Sequence, residues 1–185
     1  MNIFNELGGK VISPLAQMSE AYPMMNNKDL VSPIESVSCD FSRLPRSIGQ
    51  WGGEPGNSVW LPDKEINPQV YNPENKSFGE ILKEQNIDGI PFKNGYPDFS
   101  EVSKGTVEIS DFTAYRDANF NQATEALAKE KGCSSKEVQD WMDNHGYTWH
   151  ECEDCKTMMK VPSELHGNIA HVGGISEYKN RTENQ

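Results

Sequence analysis

Three of the four histidines of this 185-residue chain, His150, His166 and His171, lie within one segment of 22 residues. A single histidine is more often a surface or core residue than a ligand, but three in so short a segment favour a shared role. Neutral imidazole is a common ligand of divalent metals in proteins. The sequence therefore predicts that these three side chains bind one divalent metal ion, with Zn²⁺, Mg²⁺, Mn²⁺ and Ni²⁺ as the candidates.

The segment around the histidines also predicts the elements that bring them together. Residues 147–162 have the composition of two strands joined by a polar turn, and a helix is expected directly after Pro162. A hairpin returns its second strand beside the first, and a helix that begins there can lie across the pair. His166 can then face His150. We therefore predict a ββα unit at residues 146–175.

Further elements are predicted upstream of this unit from hydrophobic spacing, capping residues and glycine stops. They are a short helix at residues 78–84, a strand at 106–109, a helix from an N-cap at Asp117 to Gly132, and a helix from a capping box of Ser134 and Glu137 to Gly146. The tail after Tyr178 is expected to fray, because terminal polar residues have little to hold them.

The N-terminal half has much less periodicity. Residues 51–75 are rich in Gly, Pro and Asn, and we expect Trp51 and Trp60 to anchor this stretch as an irregular shell. Residues 1–45 are interpreted as an arm or linker. The sequence thus predicts one α+β domain at residues 46–185, in which helices and the irregular shell precede a C-terminal ββα core.

The charge balance limits what the chain can bind. It carries 28 acidic and 17 basic side chains, a formal net charge of −11, which excludes nucleic-acid binding through the overall electrostatic field. Residues 150–185 carry only six of the acidic and four of the basic side chains, so most of the negative charge lies outside the predicted site. With a mean hydropathy of −0.72 and no apolar run of about 20 residues, no membrane partner is expected.

Four short motifs occur in a fixed order in the C-terminal segment: YTWHE at 147–151, TMMKVP at 157–162, LH at 165–166 and HVGG at 171–174. Together they resemble the WHH branch of the HNH/endonuclease VII nucleases, and the upstream stretches NGYPDF and DFTAYRDANF are also similar to that family. The resemblance implies a ββα-metal, HNH-like nuclease core. Such cores often form the C-terminal toxin domain of bacterial polymorphic toxin systems.

The resemblance implies a role for each matched residue. His150 matches the metal-binding histidine that closes the first strand, and His166 and His171 match the ligands carried by the helix. Their separation of five would place them about 140° apart on a helix, so His171 is expected at or just past the helix end. Glu151 stands where the WHH pattern has a second histidine that acts as general base. A carboxylate can take this role, and the residue that would orient it is left unassigned.

The implied reaction is metal-assisted hydrolysis of a phosphodiester, with DNA as the expected substrate and RNA as the other possibility. Glu151 and His150 are the candidate catalytic residues: Glu151 would accept a proton from the attacking water, while the metal stabilises charge on the phosphate and the leaving 3′ oxygen. A toxin role implies a cognate immunity protein. It also implies action in the bacterial cytoplasm after delivery from another cell, and the N-terminus shows no evident secretion signal.

A different class of function is also compatible with the spacing. Cys152 and Cys155, followed by His166 and His171, approach the pattern of a Cys₂His₂ zinc site and would make the protein a noncatalytic, zinc-stabilised binding module. This hypothesis leaves His150 unexplained. The segment SELHGNIA has no Lys or Arg with which a DNA-binding helix could contact phosphates. In the other interpretation the two cysteines only form the hairpin turn.

Overall fold

The computed structural model describes residues 43–183, so the predicted arm at residues 1–45 lies almost entirely outside the described residues. In this part of the chain there are seven strands and five α-helices. In chain order they are β1 (Gly49–Trp51), β2 (Val59–Pro62), α1 (Phe78–Glu84), β3 (Ile90–Lys93), β4 (Tyr96–Pro97), β5 (Thr106–Glu108), α2 (Arg116–Lys131), α3 (Ser135–His145), β6 (Tyr147–Glu151), β7 (Thr157–Pro162), α4 (Ser163–His166) and α5 (Gly174–Glu183). None of the described helices has the length and apolar character needed to cross a membrane.

The strands form two antiparallel sheets, with the orders β1-β2-β3-β4 and β5-β7-β6. In the second sheet, β6 pairs with β7 without interruption, from Tyr147 opposite Pro162 to Glu151 opposite Met158. The β6–β7 hairpin is followed directly by α4. The fold is therefore mixed α+β, and the predicted order of strand, turn, strand and helix at the C-terminal end is confirmed.

The β6–β7 hairpin lies between two hydrophobic cores. The first core includes Phe78, Phe99, Val161 and Leu165, and the second includes Ala123, Leu127, Met142 and Met158. Successive strand residues point to opposite faces, so Trp149 packs into the second core while His150 contacts Phe99 of the first. The indole N–H of Trp149 donates to Oγ1 of Thr124 at 3.0 Å, which fixes the hairpin on α2. One face of β6 therefore packs on the first core and the other face on the second.

Local signals set most helix boundaries. The predicted short helix is α1, and α3 begins with the predicted capping box, in which Ser134 and Glu137 each accept a hydrogen bond from the other's backbone N–H. α2 and α3 stop at Gly132 and Gly146, both in the left-handed conformation. These predictions are confirmed, and the predicted strand at 106–109 is one residue shorter, as β5.

The N-cap predicted at Asp117 is wrong. α2 begins at Arg116, with Tyr115 in the N-cap position and no side-chain cap hydrogen bond, so Asp117 lies inside the first turn. A carboxylate there still interacts favourably with the helix dipole. The shift matters because it places Arg116 and Asn119 together in the first turn of α2.

The prediction of a frayed tail is wrong for the described residues beyond Tyr178, which continue as α5 to Glu183. Tyr178 packs on Phe112 with ring centroids 5.8 Å apart, and the Arg181 guanidinium donates to the carbonyl of Glu153 at 2.8 Å. These partners are distant in sequence. The helix is therefore stabilised by tertiary contacts that local sequence signals do not reveal.

Candidate metal centre and active site

The three clustered histidines meet at one point. His150 lies on β6, His166 at the end of α4, and His171 in the irregular segment that follows α4. One ring nitrogen of each lies within 4.8 Å of the others, and Nε2 of His166 is 3.2 Å from Nδ1 of His150. Among residues 43–183 this is the only group of three or more His, Cys, Asp or Glu side chains close enough to hold a metal ion. The structure therefore brings together the three predicted ligands.

The donor set fits a divalent metal ion. In a tetrahedral site with metal–nitrogen bonds of 2.0–2.1 Å, two ligand nitrogens are about 3.3 Å apart, close to the observed separation of His166 and His150. The Nδ1–H of His171 donates to the carbonyl of Ile169 at 2.7 Å, which leaves Nε2 as the nitrogen with a free lone pair. A hydrogen bond of this kind typically orients a metal-binding imidazole. The triad can therefore bind a metal ion.

The environment keeps the three imidazoles neutral. Burial lowers the pKa of His150 well below its ordinary value, and the nearby His171 and His166 lower it further. Burial likewise lowers the pKa of His166 to about 3, and it also lowers the pKa of His171. Metals bind the neutral ring, so burial holds the triad in the form that can act as a ligand set.

Phe99 packs against all three histidines. Its ring centroid lies 5.0 Å from that of His150, 5.8 Å from that of His166 and 5.6 Å from that of His171. The side chain is fully buried and follows β4, in the NGYPDF stretch. A rigid apolar ring in this position limits the rotation of the imidazoles. No motif or spacing in the sequence indicates this role for Phe99.

Glu151 is a buried carboxylate with two polar partners. Its side chain is 5% exposed; Nδ2 of Asn119 donates to Oε1 at 2.8 Å, and Nε of Arg116 lies 3.4 Å from Oε2. Burial raises the pKa of Glu151, whereas the hydrogen bond from Asn119 and the charge of Arg116 lower it. Both partners come from the first turn of α2. The carboxylate is therefore fixed in orientation by one helix.

Asn119 and Arg116 are functional candidates that the sequence did not predict. Asn119 is fully buried, and besides contacting Glu151 it accepts a hydrogen bond from the backbone N–H of Thr113 and donates one to the Thr113 carbonyl, both at 2.9 Å. Asn119 is therefore placed to orient the Glu151 carboxylate, a role for which the sequence motifs indicate no residue. The only sequence signal was that both residues lie in the DFTAYRDANF stretch.

His150 and Glu151 are adjacent on a strand, yet both line the same cleft. The pairing with β7 is regular through both residues, so no bulge redirects them. Instead, Glu151 is the last residue of β6. At a strand end the two faces of the sheet open into the same space, which allows His150 to enter from one face and Glu151 from the other.

The two cysteines of the hairpin turn lie outside the triad. Cys155 has a positive φ of 60°, its backbone N–H donates to the carbonyl of Cys152 at 3.1 Å, and its thiol donates to the carbonyl of Gly174 at 3.5 Å. Burial raises the pKa of the Cys152 thiol to about 12, which disfavours the thiolate that metals bind. The geometry therefore favours the interpretation in which these cysteines form the turn.

The one-turn helix α4 is held from outside by the loop at residues 66–76. The side-chain amide of Asn168 accepts from the N–H of Val70 at 3.1 Å and donates to its carbonyl at 2.6 Å. Nζ of Lys76 lies 3.5 Å from Oε1 of Glu164. A helix this short is not stable alone. The loop that the sequence predicts as an irregular shell therefore positions His166.

A cleft of about 560 Å³ opens onto the triad and Glu151, with α5 along one side. In the part of the chain that the structure describes, the charged residues lining it, other than histidine, are three cations and two anions: Arg43, Arg116, Lys179, Glu151 and Glu183. The cleft is therefore not anionic, although the whole chain carries a net charge of −11. A phosphate could approach it without meeting the negative field that dominates elsewhere.

Gly174 sets how closely α5 approaches the hairpin turn. A Cβ there would clash with the carbonyl oxygen of Cys152 and lie 2.9 Å from Cζ of Phe112. Gly174→Ala is therefore expected to lower the free energy of unfolding by about 1–3 kcal/mol, measured by equilibrium urea denaturation. Gly173→Ala is the matched control, because its Cβ would make an ordinary 3.4 Å contact with the Glu151 carbonyl oxygen. Equal losses in the two variants would contradict this account of the packing.

A histidine triad that can bind a metal ion, beside an oriented carboxylate, is typical of a metal-dependent hydrolase. Residues 90–173 match the family model described as the DNase/tRNase domain of colicin-like bacteriocin. No curated protein matches the chain. The matched span runs from β3 to just before α5 and contains the triad, Glu151 and both of its partners. This part of the chain is therefore similar to a nuclease domain of a bacterial toxin.

Proposed function

We propose that this chain is a metal-dependent nuclease toxin domain of the WHH branch of HNH nucleases, and that it hydrolyses phosphodiester bonds in DNA. The observation that carries the proposal is the shared cleft, in which an oriented carboxylate, Glu151, lies beside a histidine triad able to bind a metal ion. The similarity of residues 90–173 to the DNase/tRNase domain of colicin-like bacteriocin supports the same class of reaction.

In this proposal each residue of the cleft has a separate task. His150, His166 and His171 hold one divalent ion, which when bound supplies Lewis-acid stabilisation of negative charge on the phosphate. Glu151 accepts a proton from a water molecule as the water oxygen bonds to phosphorus and the bond from phosphorus to the 3′ oxygen breaks. The 3′ oxygen takes a proton from solvent. Hydrolysis thus leaves a 5′ phosphate and a 3′ hydroxyl.

Asn119 and Arg116 keep the Glu151 carboxylate in one orientation before substrate arrives. A group held in this way loses little conformational freedom on reaching the transition state, which is one source of catalytic power. The raised pKa that burial gives Glu151 makes it a better proton acceptor, while Asn119 and Arg116 keep it from becoming protonated too readily. The same residues that fix the geometry of the base therefore also adjust its basicity.

The toxin role extends the proposal to partners and location. The substrate is the nucleic acid of a target bacterium, so the domain acts in the bacterial cytoplasm after delivery from another cell. A producing cell needs protection from the same activity. We therefore expect a cognate immunity protein that binds this domain and blocks cleavage.

A cleavage assay tests the proposal. The purified chain is stripped with EDTA and incubated with supercoiled plasmid or with transfer RNA, alone and after addition of Mg²⁺, Mn²⁺, Ni²⁺ or Zn²⁺. We expect the plasmid to be nicked and linearised only when a metal is added, and the transfer RNA to remain intact. Cleavage of RNA alone would change the substrate to RNA. Failure to cleave either substrate with any of the four metals would refute the nuclease proposal.

A further inference from the structure

α5 forms one wall of the cleft. One side of this helix packs on the rest of the protein, and the other side faces the cleft. The side that packs on the protein carries Gly174, Tyr178 and Arg181, which recur at intervals of four and three; Gly174 and Arg181 contact the hairpin turn, and Tyr178 contacts Phe112. The opposite side carries Ser176, Lys179 and Glu183, which recur at intervals of three and four and line the cleft. The packed side fixes the helix, so the cleft side presents its polar groups in a defined position.

Lys179 is an exposed cation on this wall, and it has no ion pair among residues 43–183. Five of the eleven lysines in that range pair with a carboxylate within 3.0 Å, and Lys179 is one of six that do not, but it is the lysine that lines the cleft. Glu183 lies four residues after Lys179, the spacing at which Lys136 pairs with Asp140, yet Lys179 and Glu183 form no ion pair among the described residues. The ammonium group of Lys179 is therefore available to an anion in the cleft.

The wall is long enough to follow a nucleic-acid strand. From Ser176 to Glu183 the helix rises about 10 Å at 1.5 Å per residue, and one strand of a duplex advances about 3.4 Å per nucleotide. The cleft side of α5 can thus lie along roughly three nucleotides. A strand that runs along α5 with its scissile phosphate at the triad places a neighbouring phosphate against this helix, because both line the same cleft.

We infer that Lys179 binds a backbone phosphate next to the scissile one and anchors the substrate strand along α5. The inference rests on the proposed nuclease function. Lysine contacts to phosphate strengthen binding but read no base sequence. The contact therefore raises substrate affinity equally for all DNA sequences. It takes no part in the chemical step, which depends on Glu151 and the triad.

Three single substitutions in the full chain test this role: Lys179→Gln, Lys179→Arg and, as a matched control, Lys129→Gln. Lys129 is another exposed helical lysine without an ion pair among the described residues, but it does not line the cleft. For each variant we would measure kcat and KM for plasmid cleavage. We would also measure the salt dependence of binding to a short DNA duplex, with Glu151→Gln added in every case to prevent cleavage.

Loss of one phosphate contact should make the slope of log K against log salt shallower by about 0.9, with a fall in affinity of about 5–10-fold near 0.1 M salt. We therefore expect Lys179→Gln to raise KM by about the same factor with kcat nearly unchanged. Lys179→Arg should stay close to wild type, because it keeps the charge, and Lys129→Gln should have no effect. Since three cations line the cleft among residues 43–183, the wild-type slope should be no steeper than about −3.

The outcomes separate this inference from the nuclease proposal. If the wild type cleaves DNA but Lys179→Gln and Lys129→Gln behave alike, the phosphate anchor is refuted and the nuclease proposal stands. A loss in kcat without a change in KM also refutes it. If the wild type binds DNA without cleaving it and Lys179→Gln weakens that binding, the anchor stands and the nuclease proposal fails. If the wild type neither binds nor cleaves, both fail.

Discussion

Glu151→Gln should reduce kcat for nucleic-acid cleavage by about 10²–10⁴-fold, the usual contribution of a general base. This corresponds to about 3–5 kcal/mol of barrier height. Glutamine preserves the size of the side chain and can still accept a hydrogen bond from Asn119, but it cannot accept the proton. It also removes a negative charge from the cleft, so binding of a phosphate should not weaken. The loss is expected in kcat, with metal affinity retained, as measured by calorimetry.

Glu153→Gln provides the matched control for this prediction. It makes the same chemical change two residues along the chain, where the side chain is exposed and does not line the cleft. Its contact with Arg181 uses the backbone carbonyl, which the substitution leaves in place. We expect its kcat to equal that of wild type. A Glu151→Gln variant that cleaves at the wild-type rate with the same metal would show that Glu151 is a bystander and that another group, such as His150, is the base.

The parts of the fold that the sequence predicted are those governed by local rules. The capping box of Ser134 and Glu137, the glycine stops of α2 and α3, and the β6–β7 hairpin all depend on residues near one another in sequence. The same is true of the triad, because a hairpin and the helix after it bring His150, His166 and His171 together by local connectivity. Short-range geometry was therefore sufficient to predict the candidate ligands.

The parts that the sequence did not predict depend on contacts across the fold. Asn119 reaches Glu151 over 32 positions of sequence, and Asn168 reaches Val70 over 98. Neither partner can be selected by spacing or composition, since a buried Asn within a helix has no periodic signature. α5 was missed because it is held by contacts distant in sequence, Tyr178 with Phe112 and Arg181 with the carbonyl of Glu153. In this protein the three ligands are close in sequence, whereas the groups that orient Glu151 and hold α4 are distant from them.

The metal ligands and Glu151 are held by different elements of the fold. The triad is held by Phe99 and α4 on one side of β6, whereas Glu151 is held by α2 on the other. The two halves are supported by different cores and meet only at the end of the strand. Substitutions should therefore separate metal binding from proton transfer. A change in α2 or Glu151 should affect rate, and a change in the triad should affect metal affinity first.

His150→Ala should accordingly weaken metal binding by more than about 100-fold, since loss of a residue that only supports a ligand already weakens binding by about 10–100-fold. We would measure the affinity for Zn²⁺ and Ni²⁺ by competition with a chromophoric chelator. The matched control is His145→Ala, because His145 is the fourth histidine, is exposed and stacks on Trp141 outside the cleft. It should bind metal like the wild type. His166→Ala and His171→Ala should resemble His150→Ala.

The thermal stability of the same variants distinguishes loss of a ligand from loss of the fold. A metal that binds only the folded state stabilises it in proportion to the logarithm of metal concentration over the dissociation constant. Wild type should therefore melt at a higher temperature with Zn²⁺ than with EDTA, whereas His150→Ala should melt at one temperature in both. If the melting temperature of Cys155→Ser still rises on addition of Zn²⁺, Cys155 is not a ligand and the zinc-module hypothesis is wrong. If it loses that rise while His150→Ala keeps it, the metal is bound by Cys152, Cys155, His166 and His171, and the nuclease site proposed at the end of β6 is wrong.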